Sequence, residues 1–106
     1  MRAVKQKRIV SIAEFSIHPI GKGVSVSPFV KRAIQAISKI KDLKYEVTPM
    51  ATILEAEKIQ TILRAVEAAH SAVRAMGAKR ISSTLRIDER LDKPRTMNDK
   101  TSSVVD

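Results

Sequence analysis

The residues best suited to chemistry in this sequence are carboxylates, in the segment Thr52-Ile53-Leu54-Glu55-Ala56-Glu57 that follows the Pro49-Met50-Ala51 break. In an extended strand, alternation sets Glu55 and Glu57 on one face. Carboxylates in a sheet of an otherwise basic protein read in two ways. They protect an edge strand from pairing with other chains, or they face a pocket and accept hydrogen bonds from an amine or a protonated ring nitrogen. The remaining catalytic signals are thin. His18 and His70 are the two histidines, far apart in sequence and without the HExxH spacing, so no zinc site is expected. A lone histidine on the apolar stripe of a helix, as at His70, reads as a hydrogen-bonded core residue. No serine sits in a G-x-S-x-G elbow. Gly21-Lys22-Gly23 lacks the spacing of a phosphate loop. With no cysteine in the chain, thiolate nucleophiles, disulfides and thiolate metal sites are excluded together. The expectation is a binding protein, with neither catalytic residues nor a cofactor.

The elements that must position these carboxylates follow from periodicity. Arg8 to Ile17 is a β-branched run with Ile9, Ala13, Phe15 and Ile17 on one parity, which predicts a strand ended by His18-Pro19-Ile20-Gly21. Ser27 as N-cap and Pro28 at the first helical position predict a helix, with Phe29, Val30, Ala33, Ile34, Ile37 and Ile40 as its buried stripe. Leu43 to Thr48 and Thr52 to Glu57 read as two strands of an antiparallel pair. A second helix runs from about Lys58 to Met76 and stops at Gly77. Ala78 to Asp88 is the last strand, with Arg80, Ser82, Thr84 and Arg86 on its polar face.

Strand, helix, strand, strand, helix, strand is the order of an α+β, ferredoxin-like βαββαβ domain. It predicts a four-stranded antiparallel sheet with two helices on one face. The 106 residues make one domain, with a core over about 8–88 and a polar extension over 89–106 that carries a short terminal element at most. The other sheet face is expected to stand open, available to a subunit or a ligand. The basic start of the chain leads into a stretch interrupted by Ser11, Glu14 and Ser16, so it is not read as a signal peptide, and no run suits a membrane span. A cytoplasmic protein without membrane partners is expected.

The net charge of +9 raises the case for nucleic acid. Ferredoxin-like RNA-binding modules, however, stack bases on aromatic residues of the central strands. The only aromatics here are Phe15, Phe29 and Tyr45, and the third strand offers glutamates instead. Nucleic acid is therefore not the expected partner.

Several short motifs carry a further likeness. They are Phe15-Ser16-Ile17 with Pro19 and Gly21, Ser25-x-Ser27 before a helix, Tyr45-Glu46 with Pro49-Met50-x-Thr52-x-x-Glu55-x-Glu57, His70 with Gly77-Ala78-x-Arg80, and Ile87-Asp88-x-Arg90-x-Asp92-Lys93. In order and spacing, over roughly residues 8 to 104, the chain resembles the small thiamine-binding proteins of YkoF type. Ala51 and Ser71 depart from a family pattern that usually has Gly and often Glu there. The resemblance implies a ferredoxin-like fold, assembly with copies of itself into a homodimer or homotetramer, and a pocket for thiamine or its hydroxymethylpyrimidine part. On that footing Glu55 is the first candidate to face the aminopyrimidine, with Glu57 second. Thr52, Ser25 and Ser27 would add neutral hydrogen bonds, Met50 an apolar wall, and His70 would orient a carboxylate from the helix side. The alternatives are an assembly module without a small-molecule ligand and, behind it, an RNA-binding module.

Overall fold

A computed structural model describes residues 9–105 of the chain. Four strands and three helices follow one another as β1 (Ser11–Pro19), α1 (Ser27–Ile37), β2 (Lys44–Val47), β3 (Thr52–Ala56), α2 (Ile59–Ala75), β4 (Ile81–Glu89) and α3 (Met97–Val105). The strands form one sheet in the order β2-β3-β1-β4, every neighbouring pair antiparallel. This is the ferredoxin-like arrangement that the sequence predicts.

Alternation along the strands divides the sheet into two faces. Ala13, Phe15 and Ile17 of β1 and Leu54 and Ala56 of β3 turn to α1 and α2, where they meet Ala33, Ile37, Ile62, Ala65, Ala69 and Val73 in one buried cluster. Alanine at 33, 65 and 69 lets the helices approach closely, and Phe15, Ile37, Leu54 and Ile62 supply the volume. Gly77 ends α2 with φ +92°, a left-handed conformation that glycine adopts without cost, and its N–H donates to Arg74 O at 3.0 Å.

Three local expectations are corrected. Pro19 does not stop β1, which pairs with β4 through Pro19↔Ile81. The β1–β3 ladder has already ended at Phe15↔Thr52, so the missing N–H of Pro19 breaks no ladder bond. Ser27 is the first helical residue and not the N-cap. Val26 holds that position, without a side-chain cap, and its carbonyl accepts from Phe29 N and Val30 N.

The third correction concerns the sheet face expected to be open, because the short terminal element of the polar extension is the helix α3 and it meets that face. Its N-terminus carries a reciprocal capping box in which Thr96 N donates to Asp99 Oδ2 and Asp99 N donates to Thr96 Oγ1, each at 3.0 Å. Met97 N then donates to Glu55 Oε1 at 2.7 Å, and Lys100 pairs with Asp88 of β4. No residue of α3 is buried, so polar contacts hold most of this attachment. Hydrogen bonding to Lys100 lowers the Asp88 pKa, and bonds from the Thr96 backbone and side chain lower that of Asp99. Depressed folded values stabilise docked α3 above the ordinary Asp pKa of 3.8, and that contribution disappears as pH falls through the folded values. Amide exchange at residues 97–105, compared at constant temperature with intrinsic rates corrected for pH, should therefore rise on acidification before β1 and β3 lose protection. Simultaneous loss in both regions would show that α3 is not separately held.

Candidate ligand-binding site

At the end of the sheet where β1 outruns β3, a cleft of about 260 Å³ opens between α1, β1 and the β2–β3 turn. Its floor is Phe15 and Ile17, its helical wall is Val30, Ala33, Ile34 and Ile37, and its far wall is the turn from Val47 to Thr52. Side-chain and backbone bonds within the turn fix that wall. Thr48 Oγ1 donates to Ala51 O at 2.7 Å and accepts from Ala51 N at 3.2 Å, while Thr48 N donates to Ala51 O at 2.9 Å.

The polar feature of the floor is backbone. In an antiparallel ladder, successive residues turn their N–H and C=O alternately to one neighbouring strand and the other. Ile20 N donates to Arg80 O at 2.8 Å, which sets the even-numbered residues of β1 toward β4. Ile17 accordingly directs both its N–H and its C=O away from β4, at a level where the β1–β3 ladder has ended. A donor and an acceptor from one residue thus face the cleft, whose lining also includes Ser16, His18, Thr48 and Thr52 beside its apolar walls. No acidic side chain is among the described residues that line it.

The expected site residues do not converge in one chain. Thr52, buried, and Met50, exposed, both line the cleft. Ser27 lies on an adjoining groove formed with Val26, Val30, Ile34 and Pro49, and Ser25 is exposed just before it. Glu55 stands on the opposite sheet face, three residues from Thr52 and therefore of opposite parity. It is only 7% exposed, with Met97 N on one oxygen and Lys44 Nζ 3.9 Å from the other. Glu57 lies past the far end of β3, beside Lys44, Lys58 and Arg64. His70 Nε2 is 2.7 Å from Ser83 Oγ, so its partner on the helix side of the sheet is a β4 hydroxyl rather than a carboxylate.

Sequence reading missed the backbone of Ile17 and took Phe15, Val30 and Ile34 for core alone. The available signal was the unequal length of the strands that flank β1. Among the described residues no three His, Asp or Glu gather to hold a metal ion, and no helix is long and apolar enough to cross a membrane.

Residues 13–105 match the sequence profile of a family described as thiamine-binding protein. A protein from Methanothermobacter thermautotrophicus, catalogued only as UPF0045, is 41% identical over 93 residues, which is 87% of this chain and 93% of the relative. A solved hypothetical protein from Methanocaldococcus jannaschii shares 45% identity with a TM-score of 0.81, covering 92% of this chain and 96% of its own. A structure from Thermotoga maritima, described as a candidate thiamine biosynthesis/salvage protein, superposes with a TM-score of 0.75 at 26% identity, covering 89% and 97%.

Proposed function

This chain belongs to the thiamine-binding protein family, and on that premise we propose that it binds the aminopyrimidine of thiamine or free hydroxymethylpyrimidine, without turnover, as a homo-oligomer. The observation that carries the reading is the Ile17 backbone pair on the floor of the cleft. An aminopyrimidine presents an amine donor beside a ring-nitrogen acceptor, which is the complement of one residue's N–H and C=O. The ring itself suits Phe15, Val30 and Ile34, and Met50 and Thr52 close the far side.

Charge refines the ligand. The thiazolium of intact thiamine is cationic, the cleft lining holds no carboxylate, and the net charge of the chain is +9. Charges beyond about 8 Å are largely screened at physiological salt, so the protein as a whole repels thiamine weakly while the cleft itself offers no attraction. Hydroxymethylpyrimidine is expected to bind at least as tightly as thiamine.

Calorimetry with both compounds tests affinity, and amide NMR tests place. Titration with hydroxymethylpyrimidine should shift the Ile17 amide and protect it from exchange, with further shifts at Met50–Thr52 and along α1. Shifts gathered at Lys44, Glu55 and α3 would move the site to the second sheet face, where Glu55 lies. Absence of binding by either compound would end the assignment.

A further inference from the structure

The cleft does not end at α1. A shallower groove of about 520 Å³ shares Val26, Val30, Ile34 and Pro49 with it, so the two form one continuous depression that passes over the helix beside the β2–β3 turn. Residues four apart lie in one row along a helix. Val26, Val30 and Ile34 are the row common to both hollows, and Ser27, Lys31 and Gln35 are the row on the far side. All three polar residues are exposed. The charge of this margin has one sign. Among the described residues no acidic side chain lines either hollow, α1 itself contains no Asp or Glu, and Lys31 takes part in no ion pair.

Resting on the cleft assignment proposed above, we infer that the ligand this site prefers is a phosphate monoester of hydroxymethylpyrimidine, with the ring in the cleft and the phosphate over Ser27, Lys31 and Gln35. A phosphate monoester carries about −1.5 to −2 charges at neutral pH and offers three strong acceptor oxygens. Lys31 supplies a cation with three donors, and the Ser27 hydroxyl and the Gln35 amide supply neutral donors. A substituent that leaves the ring across Val30 and Ile34 reaches this row. The same row disfavours the substituent of intact thiamine, because the thiazolium would set a cation beside Lys31. An unphosphorylated hydroxymethyl group carries no charge and gains only neutral bonds there. The sign of the substituent's charge therefore ranks the three ligands, with the phosphate monoester first and thiamine last.

Calorimetry with these three ligands and two charge-reversal variants provides the test. The wild type should bind the phosphate monoester about five-fold more tightly than hydroxymethylpyrimidine at low salt, the scale of one exposed charge pair. That advantage should shrink as salt rises. Lys31→Glu replaces attraction by repulsion at one point. It should weaken binding of the phosphate monoester roughly ten-fold and tighten that of thiamine, with hydroxymethylpyrimidine unchanged. Lys39→Glu makes the same change in net charge at an exposed residue that lines neither hollow, and should leave all three affinities as in the wild type. Equal binding of the phosphorylated and unphosphorylated pyrimidine by the wild type overturns the inference and leaves the cleft assignment standing. A phosphate preference that survives Lys31→Glu, or that falls as far in Lys39→Glu, overturns it as well, since the phosphate then lies elsewhere or senses only net charge. Absence of binding by all three ligands overturns both.

Discussion

Phe15→Ala is expected to destabilise the protein by about 3–5 kcal/mol, the range for deleting a fully buried aromatic ring. Phe15 is 1% exposed and lies in the central strand β1, where it joins the cluster fed by α1, α2 and β3. Its neighbours are held by ladders on both sides, at Phe15↔Thr52 and Phe15↔Leu85, so the backbone cannot move inward to fill the space. A small domain has a total stability of roughly 5–15 kcal/mol, so the variant should unfold at much lower urea with little change in m-value. Phe29→Ala makes the control, because Phe29 is only partly buried and packs at the margin of the same cluster. Equal losses at the two positions would show that the core is not centred on β1. Because Phe15 also floors the cleft, ligand binding should weaken in any fraction that remains folded.

Glu55→Gln is expected to release α3 while leaving the cleft intact. The Glu55 carboxylate accepts from Met97 N at 2.7 Å at the N-terminus of α3, where a negative charge also complements the helix dipole. Glutamine keeps an acceptor oxygen but loses the charge, and hydrogen bonds to charged groups contribute about 1.5–3 kcal/mol, against about 0.5–1.5 kcal/mol for neutral ones. The difference is large for a helix with no buried residue and one further anchor to the sheet, Lys100 on Asp88. Amide exchange should accelerate across residues 97–105 roughly ten-fold, with the midpoint of global unfolding little changed. The same variant should bind hydroxymethylpyrimidine as the wild type does, since Glu55 and the cleft lie on opposite faces of the sheet. Protected α3 in Glu55→Gln would show that Ile12, Ile53 and Met97, which line the space beneath the helix, hold it instead.

Family membership and fold were legible because both are carried by local patterns. Period-two runs at 11–19 and 81–89 and period-three-and-four stripes at 27–37 and 59–75 each report which face of an element must leave water, and six such elements in this order fit a ferredoxin-like sheet. The motifs around Ser25, Pro49 and Gly77 are likewise short and read without knowing what they touch. α3 was not legible, since its residues have no apolar stripe and its docking depends on Glu55 and Asp88, 42 and 12 residues away along the chain.

What the sequence determined by itself is therefore the set of elements, their buried faces and the residue types near the ends of the strands. Tertiary structure decided which of those residues meet. Thr52 and Glu55 share one short strand and one motif, yet the pleat sends the first to the cleft beside α1 and the second beneath α3. The donor and acceptor on the cleft floor belong to the backbone of Ile17, which no residue type encodes. They are exposed to the cleft only because β3 stops pairing at Phe15 while β4 continues to Pro19, and the lengths of two strands distant in sequence set that mismatch.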